Sequence, residues 1–454
     1  MRSTEHETAS GDRNERFELG YRRILTIAVP IMISNLSTPL LGLVDTGVVG
    51  QLPDPAFIGA VAIGSLIFTF TFWAFGFLRM GTTGLTAQAL GAGDHTEIRA
   101  NLGRPLLLAL ALGGLLILLQ DLIRSGALLF LEASPQVESL AGEYFQIRIW
   151  SAPAALANYA ILGWFVGLGR TRIALVIQLV LNLTNIALDF AFVTGLGWDV
   201  KGVALGTSIA EGIAALLGLA IAARHLRSFQ PAPDSLKRVL DPGRLRHNLL
   251  VNGDIMIRSL ALLAVFIWFT AQGARSGDVI LAANSILMQF VALSAYFLDG
   301  IAFATESLIG RAVGAKLAGL VRLTAKQTTR LAAGIAVLIV ALFALGGSLA
   351  IGILTVDPEV RAAAHGYLLW AVFAPLAGVW CFQLDGIFIG ATRTVDMRNA
   401  MLLSLLIFAG AYWALQPFGN HGLWGSLYAH YAARTLTLLA FYPGLVQSIR
   451  AKMK

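Results

Sequence analysis

Asn182-Leu183-Thr184-Asn185-Ile186-Ala187-Leu188-Asp189 places a carboxylate and two amides inside a run otherwise apolar enough to cross a bilayer. On a 3.6-residue helix, positions 182, 185 and 189 fall within roughly 60° of one another and share one face. An ionisable side chain at mid-bilayer costs roughly 2.5–3.5 kcal/mol on insertion scales, so it turns to a bundle interior or a wet cavity and marks a functional position. Polar side chains also serve as glue between membrane helices, which is the plainer reading of the two amides. Asp45, a second lone carboxylate deep in a separate apolar segment, moves the balance toward function.

The whole chain agrees with a membrane setting. Of 454 residues, 57% are hydrophobic and 13% charged, with a mean hydropathy of +0.73, where soluble domains carry about 25% charged residues. The single cysteine, Cys381, lies in an apolar segment; it rules out an intrachain disulfide and reads as a packing residue. A net charge of +7 does not argue for nucleic acid, because the basic residues are spread over short loops. His421 and His430 stand apart from any ligand cluster, so no transition-metal site and no cofactor are expected. The first apolar run is too long for a signal-peptide core, and no cleavage is expected.

Apolar runs of spanning length occur near 24–49, 57–82, 104–131, 138–167, 173–194, 202–223, 248–271, 279–310, 329–355, 361–390, 399–418 and 423–447, which predicts an all-α integral membrane protein of twelve transmembrane helices. Pro30 and Pro39 make the first helix the one expected to bend. With a cytoplasmic N-terminus, roughly 25 of the 33 basic residues fall on cytoplasmic segments, so both termini are expected inside. The organisation expected is a cytoplasmic tail (1–23), an N-lobe (24–225), a polar linker holding Pro231, Pro233 and Pro242 (226–247), a C-lobe (248–447) and a C-terminal tail (448–454). The lobes echo one another at an offset of roughly 223 residues. Pro30–Ser34 echoes Asp254–Arg258, Gln88–Ala92 echoes Arg311–Ala315, Ser134–Val137 echoes Asp357–Val360, and Gly169-Arg170-Thr171 echoes Thr392-Arg393-Thr394. Six crossings per unit give both lobes the same orientation, related by a pseudo-two-fold axis along the membrane normal, with a cavity between them.

The order Pro30, Val44-Asp45-Thr46-Gly47-Val48-Val49-Gly50, Met80-Gly81-Thr82-Thr83-Gly84, Ala89-Leu90-Gly91, Gly169-Arg170-Thr171 and Asn185-Ile186-Ala187-Leu188-Asp189 resembles the multidrug and toxic compound extrusion (MATE) family, in its prokaryotic DinF-like branch, over about residues 20–448. The resemblance implies a cation-coupled exporter of xenobiotics in a bacterial or archaeal cytoplasmic membrane, acting as a monomer amid lipid. Its implied coupling residues fall on Asp45, Asn158, Asn185, Asp189 and Thr207, with Asn182 one turn from Asn185. Asp254 and Asp385 lie where other branches carry acidic residues. Arg258 stands one turn from Asp254 and is a candidate partner for it.

The chemistry of these residue types is consistent with that implication. A carboxyl group in a poorly solvated cavity resists ionisation, and a second one nearby lets the pair hold a proton at ordinary pH. Na⁺ is the alternative ion, since Asp45, Asn185, Asp189 and Thr207 offer hard oxygen ligands. Glu211, Glu306 and Asp299 read as structural, with Asp299 near a helix end. Trp73, Trp164, Trp268 and Trp380 read as interfacial or lipid-facing rather than cargo-stacking residues. Two competing functions fit less well. An intramembrane aspartyl protease would pair the aspartates but lacks the Gly-x-Gly-Asp context. A lipid-linked precursor flippase would line its cavity with arginines, whereas the central charges here read as mostly acidic. The acidic N-lobe points to cationic or amphipathic drug-like cargo, and Pro30 to a hinge about four turns before Asp45.

Overall fold

The computed structural model describes residues 20–451 apart from 53, 132–133, 228 and 230–234. Most of the N-terminal tail, the end of the C-terminal tail, and Pro231 and Pro233 of the linker therefore lie outside the described residues. Among the described residues there is no strand. Twelve helical units follow in order: α1 (Tyr21–Val49), α2 (Ala56–Ala92), α3 (His95–Leu118, continued by Gln120–Leu131), α4 (Pro135–Gly167), α5 (Thr171–Gly195) and α6 (Asp199–Leu226) form one lobe. A short linker helix (Ser235–Val239) leads to α7 (Pro242–Arg275), α8 (Asp278–Gly314), α9 (Ala318–Leu354), α10 (Pro358–Gly390), α11 (Thr394–Leu415) and α12 (Gly419–Ala451).

Most of these helices outrun the apolar runs that announce them, because polar turns continue the helix beyond the hydrocarbon until a cap stops it. Asp94, Asp241 and Asp357 each accept a hydrogen bond from a first-turn backbone N–H, at 2.8–3.0 Å. The echo of Ser134-Pro135 by Asp357-Pro358 is thereby explained: both are N-caps with proline at the first helical position, where the missing N–H is harmless. The Gly169 and Thr392 echo marks C-caps in left-handed backbone, at φ 64° and 52°. Gly93 and Lys316 form a second such pair, at φ 71° and 60°, also 223 residues apart.

Helix α1 continues as one helix through Pro30 and Pro39, each of which removes a single donor from its ladder. The breaks lie elsewhere. Unit α2 is interrupted at Phe75–Gly76, α4 passes through a 3₁₀ turn at Ile149–Ser151, and α5 ends in a π-helical turn, Phe190–Gly195. Each is a place where the i→i−4 ladder is re-registered rather than merely deprived of one donor.

The lobes meet reciprocally at the end of the molecule that carries the loops after α2, α4, α8 and α10. Gln88 of α2 donates to Gly390 O at the end of α10, at 2.9 Å, and to Thr392 Oγ1. In exchange Arg311 of α8 donates to Leu168 O at the end of α4. A Cβ on Gly91 would strike the Arg311 backbone, and one on Gly314 the Gln88 backbone, so α2 and α8 approach as closely as glycine permits. These exchanged contacts are what a two-fold relation between the lobes demands. Glu97 of α3 meanwhile collects Arg104, Arg238 and Arg244 at 2.7–3.3 Å, and Arg104 also donates to Arg238 O and Val239 O. The linker helix and the start of α7 are fastened to the first lobe at this same end.

Candidate functional site

Asp45 and Asp189 stand on α1 and α5, two helices packed along one another, with their carboxyl groups near enough to influence one another. Two neighbouring carboxyl groups favour a proton or another cation between them, since bare like charges repel. Asp45 Oδ1 and Asp189 Oδ2 are both buried without a hydrogen-bond partner. Asp189 is fully buried and is the last α-helical residue before the π turn. That turn is a local feature the periodicity of the sequence did not disclose.

The surrounding amides are fixed by their donors. Asn185 Nδ2 donates to Asp189 Oδ1 at 3.4 Å and to Thr207 Oγ1 at 3.1 Å, while the Thr207 hydroxyl donates to Val203 O at 3.0 Å. Asn185 thus spends its donors on one side and leaves Oδ1 buried and unpartnered. Asn158 Nδ2 donates to Glu211 O at 3.0 Å and leaves its own Oδ1 unpartnered in the same way. Glu211 Oε2 is a further buried acceptor without a donor. The first lobe therefore holds a surplus of buried oxygen acceptors, an arrangement that suits a proton or a small hard cation as substrate ion. Asn182 lies apart from this set: it donates to Ser37 on α1 at 2.8 Å and accepts from Gln178 at 3.0 Å, joining α5 to α1.

Close packing against α6 makes the arrangement possible. A Cβ on Gly206 would meet Asp189 Oδ1, with Leu188 Cβ only 3.3 Å away. Gly206→Ala is therefore expected to displace the Asp189 carboxylate and cut transport severely, for a stability cost of about 1–3 kcal/mol. Transport and melting temperature measured on the same purified variant check this. Wild-type transport would show that Asp189 tolerates the shift.

Four buried or nearly buried arginines correct the reading of a mainly acidic centre. Arg148, the last residue before the 3₁₀ turn of α4, donates to the Tyr144 hydroxyl at 2.8 Å, stands 3.8 Å from Glu211 and lies over the Phe68 ring. Arg79 of α2 lies over Phe303 and 3.9 Å from Glu306 of α8, bridging the lobes. Arg258 and Arg434 both bind Asp385. Glu211 and Glu306 thus belong to ion pairs. The expected pairing of Arg258 with Asp254 is also corrected: α11 approaches Asp254 more closely, and Thr394 and Arg398 occupy it at 2.9 and 2.7 Å. Asp299 lies in the interior of α8 rather than near its end. Trp164 is fully buried, with its indole donating to Ile98 O at 2.9 Å, whereas Trp73, Trp268 and Trp380 are exposed on the helix surfaces. The arginines were visible in the sequence as charges inside apolar runs; which acid each would meet was not.

Twelve spanning helices in two lobes, with the carboxyl groups of Asp45 and Asp189 on adjacent helices of one of them, define a multi-pass membrane transporter. The chain belongs to the MatE family, whose model matches residues 30–191 and 255–413. It is 41% identical to the DNA damage-inducible protein F of Escherichia coli K12, over 92% of this chain and 90% of that one. It is 25% identical to the multidrug resistance protein PmpM of Pseudomonas aeruginosa, over 91% of this chain and 89% of that one. Among solved structures, the D35N mutant of the Vibrio cholerae MATE transporter VcmN superposes with a TM-score of 0.82 at 20% identity, covering 95% of this chain and 97% of that one. A MATE crystal structure in a bent conformation gives a TM-score of 0.81 at 20% identity, covering 94% and 95%. These structures establish the shared fold.

Proposed function

We propose that the protein is a secondary active multidrug exporter of the bacterial cytoplasmic membrane, with both termini cytoplasmic, moving cationic or amphipathic organic compounds outward in exchange for inward H⁺. The observation that carries the reading is that Asp45 and Asp189 lie on adjacent helices, each with a buried unpartnered carboxyl oxygen, in a lobe whose unpartnered polar atoms are mainly acceptors. Relatives named as multidrug resistance proteins support the cargo class. In this reading a proton held by the pair is exchanged as α1 repacks against α4 to α6. The cross-lobe bonds at Gln88, Arg311 and Glu306 close the cytoplasmic side of the state described here.

Na⁺ is the alternative coupling ion, held by Asp45, Asp189 and the Asn185 carbonyl oxygen; the Thr207 oxygen already accepts from Asn185 and has less left to give. Asp254 and Asp385 serve structure in this proposal, because each is engaged by arginine. A carboxyl pair sharing a proton is also the acid–base unit of aspartic proteases, but membership of the MatE family and the two-lobe frame favour transport. Against a flippase, Arg79, Arg148, Arg258 and Arg434 each have a carboxylate partner, so these central arginines are compensated and do not form a free seat for a phosphate cargo.

Inverted membrane vesicles test the reading. A cationic dye is expected to dissipate a preformed pH gradient in vesicles containing the protein, and a Na⁺ gradient alone is not expected to drive dye uptake. Uptake on Na⁺ alone would replace the proton with Na⁺, and no response to either gradient would refute antiport. The same vesicles test Pro30 as a hinge. Switching between two packings from 1:99 to 99:1 needs about 5.5 kcal/mol, and one charge crossing 100 mV supplies about 2.3, so cargo must bias α1 as well. Pro30→Ala is expected to slow transport more than it weakens dye binding; equal loss of both would count against the hinge.

A further inference from the structure

Arg22 and Arg172 stand in the first turns of α1 and α5, at one end of a cavity of about 570 Å³ whose remaining lining is Leu25, Thr26, Val29 and Pro30. Both arginines are exposed, and among the described residues neither makes a side-chain hydrogen bond or ion pair. No acidic residue occupies the first turn of either helix. Arg22, Leu25, Thr26 and Val29 follow the i, i+3, i+4, i+7 spacing, so the charge and the apolar wall form one continuous stripe along α1. The Thr26 hydroxyl donates to Arg22 O, which leaves the wall facing the cavity largely apolar.

We propose that this groove binds an anionic glycerophospholipid of the adjoining leaflet, with its phosphate between the two guanidinium groups and an acyl chain lying along Leu25, Val29 and Pro30. The chemistry is two-part. Guanidinium groups at headgroup height recognise a phosphodiester through charge-assisted hydrogen bonds, and basic pockets between helices at a membrane surface select anionic lipids. The apolar remainder requires a tail: free phosphate would leave it unfilled. Assignment to the cytoplasmic leaflet rests on the orientation proposed above, whereas the binding itself does not. Because the groove spans α1 and α5 and ends at Pro30, a bound lipid holds the first turns of α1 against the helix that carries Asp189.

Native mass spectrometry of the purified protein in a neutral detergent, titrated with dioleoyl phosphatidylglycerol, dioleoyl phosphatidylcholine or inorganic phosphate, tests this without any gradient and so independently of the transport reading. The wild type is expected to prefer phosphatidylglycerol over phosphatidylcholine. Arg22→Gln combined with Arg172→Gln should lower phosphatidylglycerol affinity by about 30-fold, from two interfacial charges. Lys201→Gln combined with Arg275→Gln, which removes the same charge at the other end, should leave it unchanged. Val29→Trp should weaken phosphatidylglycerol binding by filling the tail seat. Melting temperatures establish that each variant is folded. No lipid preference in the wild type, equal loss in the control pair, preference retained without Arg22 and Arg172, or equal competition by inorganic phosphate would each overturn the proposal.

Discussion

Asp189→Asn, and separately Asp45→Asn, is expected to reduce gradient-driven efflux of a cationic dye to the level of empty vesicles while leaving the protein inserted and folded. Asparagine matches the carboxylate in shape, and its amide N–H can stand where the shared proton stood, so the contact between α1 and α5 survives. What is lost is the exchangeable proton. Either substitution suffices, because a proton shared by two groups needs both. Asp189 is buried against Gly206 and Asn185, so its variant is the sharper test of folding; melting temperature and monodispersity in detergent report that directly. Full efflux by both variants would remove the pair from the coupling mechanism. Efflux lost together with folding in Asp189→Asn alone would assign that residue to packing, and Asp45→Asn would then carry the test.

Asp385→Ala is expected to destabilise the protein by about 3–5 kcal/mol, read as a large fall in melting temperature in detergent. The alanine would leave Arg258 and Arg434, both buried on α7 and α12, facing one another without an anion. Asp385→Asn should cost less, since an amide oxygen still accepts from a guanidinium. Replacing all three residues by apolar ones of similar size should recover much of the loss, because removing a whole buried ion cluster avoids the penalty of an orphaned charge. An unchanged melting temperature in Asp385→Ala would mean that Asp299 or Glu306 takes over both arginines, and the second lobe would then be electrostatically adaptable rather than fixed.

The helices were legible because a bilayer enforces a simple rule: every backbone polar group must be satisfied within its own segment, so long apolar runs become helices. The repeat was legible for a related reason. Caps at Ser134 and Asp357, left-handed ends at Gly169 and Thr392, and the cross-lobe donors Gln88 and Arg311 are local requirements, and each lobe has to meet them at the same place in the chain. The candidate residues Asn185 and Asp189 were legible as a face of one helix, since four residues of separation fix their relation.

Pairings between distant residues were not legible in this way. Arg258 lies one helical turn from Asp254, yet it bonds Asp385, because α10 brings that acid closer than the neighbouring turn does. Helical irregularities were also hidden: the ladder is re-registered beside Arg148 and Asp189, where the apolar periodicity of the sequence carries no signal for it. By itself, then, the sequence determined a twelve-helix membrane protein with a duplicated plan and polar residues at particular heights in its helices, because insertion and capping act on contiguous residues. Only the tertiary structure decided that Gly206 packs against the Asp189 carboxylate, and which acid neutralises each buried arginine, because partner choice depends on how helices from separate parts of the chain pack together.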